Sequence, residues 1–190
     1  MDVLFLCTGN ICRSPLAEAL LRARLSRLGA TARVSSAGIM NEGLPATVEA
    51  VEVAAALGLD TSSHRSRLLT ADAIEQADLV VGLAREHVRE ALVLAPQAWP
   101  KTFTLKELVR RGDATGARTP GQPMSEWLEK VHAGRTRMEL LGRSTDDDVA
   151  DPIGRGRSVY QRMGAELNDL VTHLVELAWA QAGRPGGTGA

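Results

Sequence analysis

The sequence is poor in aromatic residues, which make up 3% of its 190 residues. A core of this composition must be built mostly from leucine, valine and alanine. An excess of one charge is also missing, because 22 basic and 23 acidic residues give a formal net charge of -1. This balance gives no overall electrostatic reason for the protein to bind nucleic acid or an anionic membrane.

Long apolar runs are missing as well. No stretch approaches the roughly 20 apolar residues that a membrane-spanning helix requires. The apolar start at 1–6 has no basic leader and is too short for a signal peptide. We therefore expect a soluble, cytoplasmic protein. Its length fits one domain with a short extension, which can bury enough surface to fold without disulfides.

Cysteine is scarce too, since the chain has only Cys7 and Cys12. Two cysteines are too few for a disulfide framework or a four-thiolate zinc site. In a reducing compartment, two thiols this close together more often indicate reactivity than structure.

Short apolar strands alternate with amphipathic helices along the chain. This alternation predicts an α/β fold, a single domain with a parallel sheet covered by helices on both faces. In the first helix, Ser14 is the expected N-cap and Pro15 the first helical residue. The predicted strands are 2–6, 32–37, 77–83 and 101–103. The predicted helices are 15–28, 45–57, 71–76, 86–94, 105–111 and 158–182.

One segment, 112–145, fits this pattern poorly because it is rich in glycine, proline and arginine. A long segment of this kind is typical of an insertion or a mobile excursion. We therefore expect a domain at 1–182 with an extra segment at about 112–145, and a disordered tail at 183–190. The extra segment could recruit an acidic partner, but a solvated surface decoration is the simpler expectation, with Trp127 as its anchor if it packs on the body. The arginines concerned are Arg110, Arg111, Arg118, Arg135, Arg137 and Arg143.

The most informative segment is 7–15, with the sequence Cys-Thr-Gly-Asn-Ile-Cys-Arg-Ser-Pro. Its first residue, Cys7, ends a predicted parallel strand, at the sheet edge where open α/β sheets bind ligands. The loop amides can form an anion nest, and the positive end of the helix dipole favours the thiolate of Cys7. Arg13 can hold two phosphate oxygens. The predicted phosphate-binding loop comprises Thr8, Gly9, Asn10, Ile11, Cys12, Arg13 and Ser14.

This arrangement suits covalent phosphoryl transfer to the Cys7 sulfur. A bare Cys-x5-Arg pattern is common by chance, and a buried cysteine before a surface arginine would also explain it. The full nine-residue string after a five-residue strand is far more specific. No Gly-Lys-Ser/Thr follows the loop, so it is not a Walker loop.

The string 3–15 resembles the low-molecular-weight protein tyrosine phosphatases. The resemblance continues through the segments 35–38, 64–67, 77–80 and the helix after Asp151-Pro152, to about residue 181. It implies a four-stranded parallel sheet flanked by helices, the phosphotyrosine phosphatase I-like fold. It also implies a hydrolase that forms a cysteinyl-phosphate intermediate, needs no metal or other cofactor and acts on a phosphorylated protein.

This mechanism needs a proton for the leaving oxygen, and Asp151 is the candidate general acid and base. Asp151-Pro152 is the only Asp-Pro pair in the chain, and it lies where the family keeps its acid. An Asp-Pro turn before a helix is also a common structural element. The neighbouring aspartates Asp146, Asp147 and Asp148 are expected to form a solvated run without a role.

Several polar residues are candidates to support the loop. The hydroxyl of Ser14 can donate to the Cys7 sulfur, and Asn10 tolerates the left-handed backbone conformation. By resemblance, Asn10, Ser36 and His64 form a hydrogen-bond network beneath the loop, although His64 alone is more simply a structural histidine. The remaining histidines, His87, His132 and His173, are expected at the surface.

Cys12 has two interpretations. It fills the loop as a small side chain, or it is a redox partner that forms a reversible disulfide with Cys7 and protects it from overoxidation. The family resemblance favours the second.

The substrate wall is aliphatic. The best-known eukaryotic members carry aromatic residues directly after the Asp-Pro pair, whereas this chain has Ile153-Gly154 there. The loop 39–44 also lacks an aromatic residue. A phosphotyrosine ring would pack on aliphatic side chains, with less specific geometry. These are Ile11, Met40, Leu44 and Ile153.

Three alternatives to phosphotyrosine hydrolysis remain open. A bacterial branch that hydrolyses phosphoarginine in proteins shares the Asp-Pro-x-Gly turn but carries threonine where this chain has Ile11, which favours phosphate esters here. Arsenate reduction would need an external thiol, since no cysteine follows Cys12. A phosphate-sensing module would not require Cys7, Arg13 and Asp151 together. We expect no nucleic-acid or membrane partner, and a monomer or weak homodimer.

Overall fold

The computed structural model describes residues 1–40, 42–141 and 145–179. Its sheet has four parallel strands in the order β2-β1-β3-β4. The strands are β1 (Asp2–Cys7), β2 (Arg33–Gly38), β3 (Leu79–Gly82) and β4 (Thr102–Thr104). The predicted single-domain α/β fold with a four-stranded parallel sheet is confirmed.

Seven α-helices connect and cover these strands in the described part of the chain. They are α1 (Arg13–Arg27), α2 (Val48–Ala56), α3 (Ala71–Gln76), α4 (Arg85–Leu94), α5 (Leu105–Thr115), α6 (Met124–His132) and α7 (Arg157–Ala178). Two 3-10 helices, Pro96–Lys101 and Arg137–Leu140, complete the elements. None of the described helices is long and apolar enough to cross a membrane.

Strand β1 lies inside the sheet, and its alternating side chains enter two cores. Val3 and Phe5 pack on the face that carries α1 and α7. Leu4 and Leu6 pack on the opposite face, with Ile74 of α3. The sheet is therefore buried on both sides, as the uninterrupted apolar run predicts.

Helix boundaries differ from the sequence predictions where a side chain finds another partner. The expected Ser14 cap is wrong: α1 begins at Arg13, and no side chain caps it. The Ser14 hydroxyl instead contacts the sulfur of Cys7. Helix α2 begins at Val48 rather than at residue 45, because the Thr47 hydroxyl accepts from the Ala50 amide at 3.2 Å.

The segment 112–145 does not form the solvated decoration that we expected, because α6 packs into the main core. Trp127 is 1% exposed, and its indole Nε1 donates to the Gly116 carbonyl at 2.9 Å. Gly112 of α5 makes room for this side chain, since a Cβ there would lie 3.3 Å from the Trp127 ring and 2.9 Å from Leu177. Trp127 is thus the anchor that its position suggested.

The arginines near this segment are held by backbone carbonyls or by acids of the same chain. Arg110 pairs with Asp147, and Arg135 pairs with Glu107. Arg111, Arg118 and Arg137 donate to carbonyl oxygens. These contacts give no support to the idea that the segment recruits an acidic partner. Arg143 and the tail 183–190 lie outside the described residues.

Candidate active site

The loop between β1 and α1 is shaped by close contact with the end of β2. A Cβ on Gly38 would lie 2.9 Å from both the Asn10 backbone nitrogen and the Thr8 carbonyl oxygen, so only glycine lets the loop approach this closely. Asn10 has a φ of 51° and is the one non-glycine residue with positive φ in the described part of the chain. The left-handed conformation predicted for Asn10 is therefore present.

The Cys7 sulfur lies buried at the base of this loop, with two donors beside it. The Asn10 amide donates to the sulfur at 3.2 Å, and the Ser14 hydroxyl oxygen lies 3.0 Å away. That oxygen accepts from the Asn10 side-chain amide at 2.8 Å, so its own proton is free to point at the sulfur. Both donors stabilise negative charge on Cys7.

The polar network predicted beneath the loop is present. The Asn10 side-chain amide donates to the Ser36 hydroxyl at 2.8 Å, and its oxygen accepts from the Arg67 amide at 2.9 Å. His64 Nε2 lies 2.7 Å from the Asn10 carbonyl. Burial lowers the pKa of His64, so the ring is neutral and its Nε2 carries the proton that this carbonyl accepts.

Glu18 completes the network, and sequence reasoning missed it. Its carboxylate accepts from the Ser36 hydroxyl at 2.6 Å, and it pairs with Arg22 and, at 3.6 Å, with Arg67. A buried acid inside an amphipathic helix is unusual, and this was the available signal. Because β2 and the loop before α3 supply Ser36 and Arg67, spacing along the chain could not identify these two partners, whereas Arg22 lies four residues further along α1.

Arg13 and Asp151 meet at the mouth of the loop. Arg13 Nη2 donates to Asp151 Oδ2 at 2.7 Å, and Nη1 donates to the Val149 carbonyl at 3.2 Å. The Arg13 side chain is 4% exposed, whereas that of Asp151 is 46% exposed. The structure therefore brings Cys7, Arg13 and Asp151 to one site.

These three residues line a cavity of about 230 Å³. Its apolar wall contains Ile11, Met40 and Ile153, as predicted. Leu44 is not among the residues that line this cavity, so its expected role as a substrate contact stays a prediction. The backbone of Leu44 exchanges hydrogen bonds with Ser66. Asn41 lies outside the described residues.

Cys12 is buried beside the same cavity. Its sulfur lies 3.6 Å from the Thr47 hydroxyl, and the Tyr160 hydroxyl also contacts it. Burial raises the pKa of Cys12 to about 11, so this thiol is protonated at neutral pH.

His87 lies beneath the loop, and the expectation that it is at the surface is wrong. It is fully buried, with Nε2 3.1 Å from the Thr8 hydroxyl and 3.3 Å from a Glu86 carboxylate oxygen. The Thr8 hydroxyl also accepts from Arg13 Nη2 at 3.3 Å. Burial lowers the pKa of His87 to about 3, so its ring is neutral.

The other two histidines differ from each other. His132 is also not a free surface residue, because its ring packs edge-on against Trp99 at 5.5 Å between centroids. His173 is part-exposed and pairs with Asp113 at 2.8 Å.

The aspartates before Asp151 have structural contacts, so a purely solvated run is a wrong description of two of them. Asp147 accepts from Arg110 at 2.9 Å. Asp148 accepts from the Arg85 amide at 2.8 Å, at the start of α4. Both contacts tie the loop that carries Asp151 to the body. Within the described ranges, no cluster of three or more His, Cys, Asp or Glu side chains is placed to bind a metal.

A buried cysteine at the end of a parallel strand, facing an arginine and a carboxylate, is the site of a cysteine-dependent phosphatase. The chain belongs to the low molecular weight phosphotyrosine protein phosphatase family, whose sequence model matches residues 2–131. The resemblance seen in the sequence is thereby confirmed.

Three relatives illustrate the similarity. The Escherichia coli K12 low molecular weight protein-tyrosine-phosphatase Etp is 41% identical over 105 residues, 54% of this chain and 67% of Etp. The Bacillus subtilis protein-arginine-phosphatase is 32% identical over 181 residues, 93% of this chain and 95% of that protein. The crystal structure of a low molecular weight protein tyrosine phosphatase from T. tengcongensis superposes with a TM-score of 0.70 at 35% identity, and the match covers 93% of this chain and 98% of that one.

Proposed function

We propose that the protein hydrolyses phosphate monoesters on proteins, with phosphotyrosine as the preferred substrate, through a phosphorylated Cys7. The observation that carries this proposal is the Cys7 sulfur, which lies 3.2 Å from the Asn10 amide and 3.0 Å from the Ser14 hydroxyl. The same cavity contains Arg13 and Asp151. A nucleophile, an anion clamp and a proton donor are thus within reach of one phosphoryl group.

Each of the three residues has a chemical role in this proposal. Arg13 and the loop amides hold the phosphate oxygens and balance the charge of the transition state. The Cys7 sulfur attacks phosphorus, and Asp151 protonates the leaving oxygen. Asp151 then accepts a proton from the water that attacks the cysteinyl phosphate. No step requires a metal or an organic cofactor.

The apolar wall supports an aromatic substrate. Ile11, Met40 and Ile153 offer an aromatic ring a surface on which to pack, and burial of apolar area stabilises binding by about 25 cal/mol per Å². The short side chain of phosphoserine would bury much less of itself there. We therefore expect phosphotyrosine peptides to be hydrolysed faster than phosphoserine peptides.

Phosphoarginine is the second candidate substrate. The observation that favours it is the B. subtilis protein-arginine-phosphatase, whose similarity covers 93% of this chain, whereas that of Etp covers 54%. Ile11 favours phosphate esters, because it supplies no hydroxyl beside the phosphoryl site. The proposed partner is therefore a phosphorylated protein, while the cytoplasmic location and the monomer or weak homodimer stay predictions.

Cys12 remains the proposed redox partner of Cys7. Peroxide would convert the Cys7 thiolate to a sulfenic acid, and the Cys12 sulfur would then form a disulfide with it and release water. Because burial keeps Cys12 protonated, and the thiolate is the attacking form, we expect this disulfide to form slowly at neutral pH.

The experiment that tests the proposal measures phosphate release from matched phosphotyrosine, phosphoserine and phosphoarginine peptides. The wild type should hydrolyse the phosphotyrosine peptide fastest and be inhibited by vanadate, and Cys7→Ser should release no phosphate. Equal activity of Cys7→Ser would exclude the mechanism. Faster hydrolysis of phosphoarginine would replace the substrate. Oxyanion binding without hydrolysis would indicate a sensing module, and thiol-dependent arsenate turnover alone would indicate a reductase.

A further inference from the structure

A second cavity, of about 570 Å³, adjoins the phosphoryl site. The two cavities share Arg13 and Asp151 in their walls. Arg85 and Arg89 also line the second cavity, and they lie four residues apart on one face of α4. A group that enters this cavity therefore lies next to the bound phosphoryl group.

The carboxylates in the wall of this cavity already have donors. Asp151 accepts from Arg13 Nη2 at 2.7 Å, and Asp148 accepts from the Arg85 backbone amide at 2.8 Å. Glu86 accepts from the Thr8 hydroxyl at 3.2 Å. Their negative charges are thus partly satisfied by groups other than the two α4 guanidiniums.

The positive charges of Arg85 and Arg89 are not balanced by a carboxylate within the described residues. Arg85 is 8% exposed, and its Nη1 donates to the Glu139 carbonyl at 3.1 Å. Arg89 Nη1 donates to the Leu140 carbonyl at 2.7 Å. Among the ion pairs within residues 1–40, 42–141 and 145–179, none joins either arginine to a carboxylate. Each guanidinium has five N–H donors, so most of them remain available. Arg85 is buried, and a positive charge this buried normally has an anionic partner. Arg89 is exposed to solvent, at the open side of the same cavity wall.

We infer that Arg85 and Arg89 form a subsite for an anionic group of the protein substrate, next to the residue that is dephosphorylated. The group is a carboxylate of Asp or Glu or a second phosphoryl group, since both match the planar fork of a guanidinium. This inference rests on the proposed function and assigns it a substrate preference. The subsite selects phosphorylated residues in acidic or multiply phosphorylated segments.

The test compares phosphotyrosine peptides that differ only beside the phosphotyrosine. One set carries glutamate at each neighbouring position in turn, another carries phosphoserine there, and the reference carries glutamine. At low salt, the best anionic peptide should exceed the glutamine peptide in kcat/KM by about fivefold, the effect of a good ion pair. A preference for glutamate assigns the subsite to carboxylates, and one for phosphoserine alone assigns it to a second phosphate.

Substitutions at Arg89 connect the preference to the subsite. Arg89→Gln should reduce the ratio of kcat/KM between anionic and glutamine peptides toward one, and Arg89→Lys should retain part of that ratio. Arg89→Glu should hydrolyse peptides with lysine at the same position faster than the glutamine peptide. Arg27→Gln is the matched control, because it removes the same charge from the exposed end of α1 and should keep the wild-type ratio. An equal loss of preference in Arg27→Gln would reduce the effect to net charge and overturn the subsite.

Binding of the same peptides to Cys7→Ser, measured by calorimetry, separates this inference from the proposed function. If anionic peptides bind more tightly than the glutamine peptide and this difference depends on Arg89, the subsite is supported. If the wild type nevertheless hydrolyses none of these peptides, only the proposed hydrolysis is overturned. Hydrolysis with equal kcat/KM and equal affinity for all peptides would overturn the subsite alone. If no phosphotyrosine peptide binds, both fail.

Discussion

At the scale of single residues, the contacts of Asp151 bear on its proposed role as the proton donor. Its carboxylate is held by Arg13 at 2.7 Å, yet a substrate phosphate needs the same N–H group. Phosphate binding would therefore transfer Arg13 from the carboxylate to the substrate. The carboxylate is then left beside a dianion, which favours its protonated form. The same exchange of hydrogen-bond partners would bind the substrate through Arg13 and favour the protonated form of Asp151.

Substitution of Asp151 should change how the rate depends on the leaving group. For aryl phosphates with poor leaving groups, Asp151→Asn should lower kcat by roughly 10²- to 10³-fold, because the leaving oxygen loses its proton donor. Activated esters such as p-nitrophenyl phosphate should lose much less. The measurement is kcat across a series of aryl phosphates. The control is Asp147→Asn, on the same loop and paired with Arg110, which should keep the wild-type dependence on the leaving group. If Asp151→Asn instead lowered kcat equally for all esters in the series, Asp151 would not be the acid.

We expect His87 to be a positioning residue for Arg13. The single Thr8 hydroxyl proton is donated to Glu86, so the His87 Nε2–H must be the donor toward the Thr8 oxygen. That oxygen also receives Arg13 Nη2 at 3.3 Å. His87 Nδ1 is then an unprotonated nitrogen, which is consistent with its having no hydrogen-bond partner among the described residues. Through Thr8, His87 fixes the orientation of Arg13.

Two substitutions of His87 separate this role from simple packing. His87→Ala should lower kcat/KM for p-nitrophenyl phosphate by about tenfold and weaken vanadate inhibition, because Thr8 loses a hydrogen bond worth about 1.4 kcal/mol. His87→Gln can still donate an N–H and should retain activity within about threefold of the wild type. His173→Ala, a part-exposed histidine, serves as the control. Equal losses in both His87 variants, without a change in vanadate affinity, would indicate packing alone.

What the sequence predicts at this scale depends on the distance between partners along the chain. Cys7, Asn10, Arg13 and Ser14 lie in one eight-residue segment, so local chemistry and the resemblance identify them. The buried positions of His87 and Glu18 arise from contacts across 79 and 18 residues, with Thr8 and Ser36. The helical spacing of His87 with the buried Ala91 of α4 was the available signal. The partner itself depends on the strand order.

At the scale of elements, the junction of α5 and β4 is held by one buried ion pair. Glu107 accepts from Arg135 Nε at 2.6 Å and from Nη2 at 2.9 Å. The same side chain forms the capping box of α5 with Thr104. The Arg135 guanidinium lies 3.8 Å from the Trp99 ring centroid and 3.9 Å from that of Phe103. The chain after α6 is thereby tied to the sheet.

Removal of one partner of this pair should be costly. Glu107→Gln keeps the shape of the side chain but leaves Arg135 buried without its counter-charge, so we expect the free energy of unfolding to fall by about 3 kcal/mol. The double variant Glu107→Gln/Arg135→Met should lose less than the sum of the single variants. Urea unfolding gives these values. Glu126→Gln breaks an exposed pair with Lys130 and should leave the free energy of unfolding almost unchanged. An equally small effect of Glu107→Gln would contradict the buried pair.

Element boundaries were predictable where capping chemistry is local. Helix α3 has the predicted bounds 71–76, and the Thr70 hydroxyl caps it by accepting from the Ala73 amide at 3.2 Å. The prediction for the segment 112–145 was wrong, because its many glycines and arginines are typical of a loop. Arg135 is buried only because Glu107 and two aromatic rings surround it. Single-sequence patterns do not reveal that kind of compensation.

At the scale of the whole molecule, the parallel topology brings distant segments to one sheet edge. Strand β1 supplies Cys7, β2 supplies Ser36, the start of α4 supplies His87, and the loop before α7 supplies Asp151. This convergence follows from the rule that the carboxyl ends of parallel strands share an edge. The class of fold and the location of the site were therefore predictable together. The buried histidine at this edge also has a consequence for the stability of the whole protein.

The free energy of unfolding should fall in acid because of His87. Burial lowers its pKa from the usual 6.5 to about 3, so between these values the unfolded chain binds a proton that the folded protein does not. Stability from this residue is complete above pH 6.5 and is lost as the pH falls toward 3, by about 1.4 kcal/mol per pH unit. Between pH 7 and pH 5, the loss should be about 2 kcal/mol.

Urea unfolding of the wild type and of His87→Gln at pH 7 and pH 5 measures this contribution. Glutamine does not titrate, so the variant should lose about 2 kcal/mol less than the wild type between the two pH values. The pKa values of His64 and His132 are also lowered by burial, but both residues are present in both proteins, and their contributions cancel in the difference. If His87→Gln and the wild type lost the same free energy of unfolding between the two pH values, His87 would have to be hydrated or protonated in the folded protein. Its Nε2–H could then not be assigned to Thr8 alone.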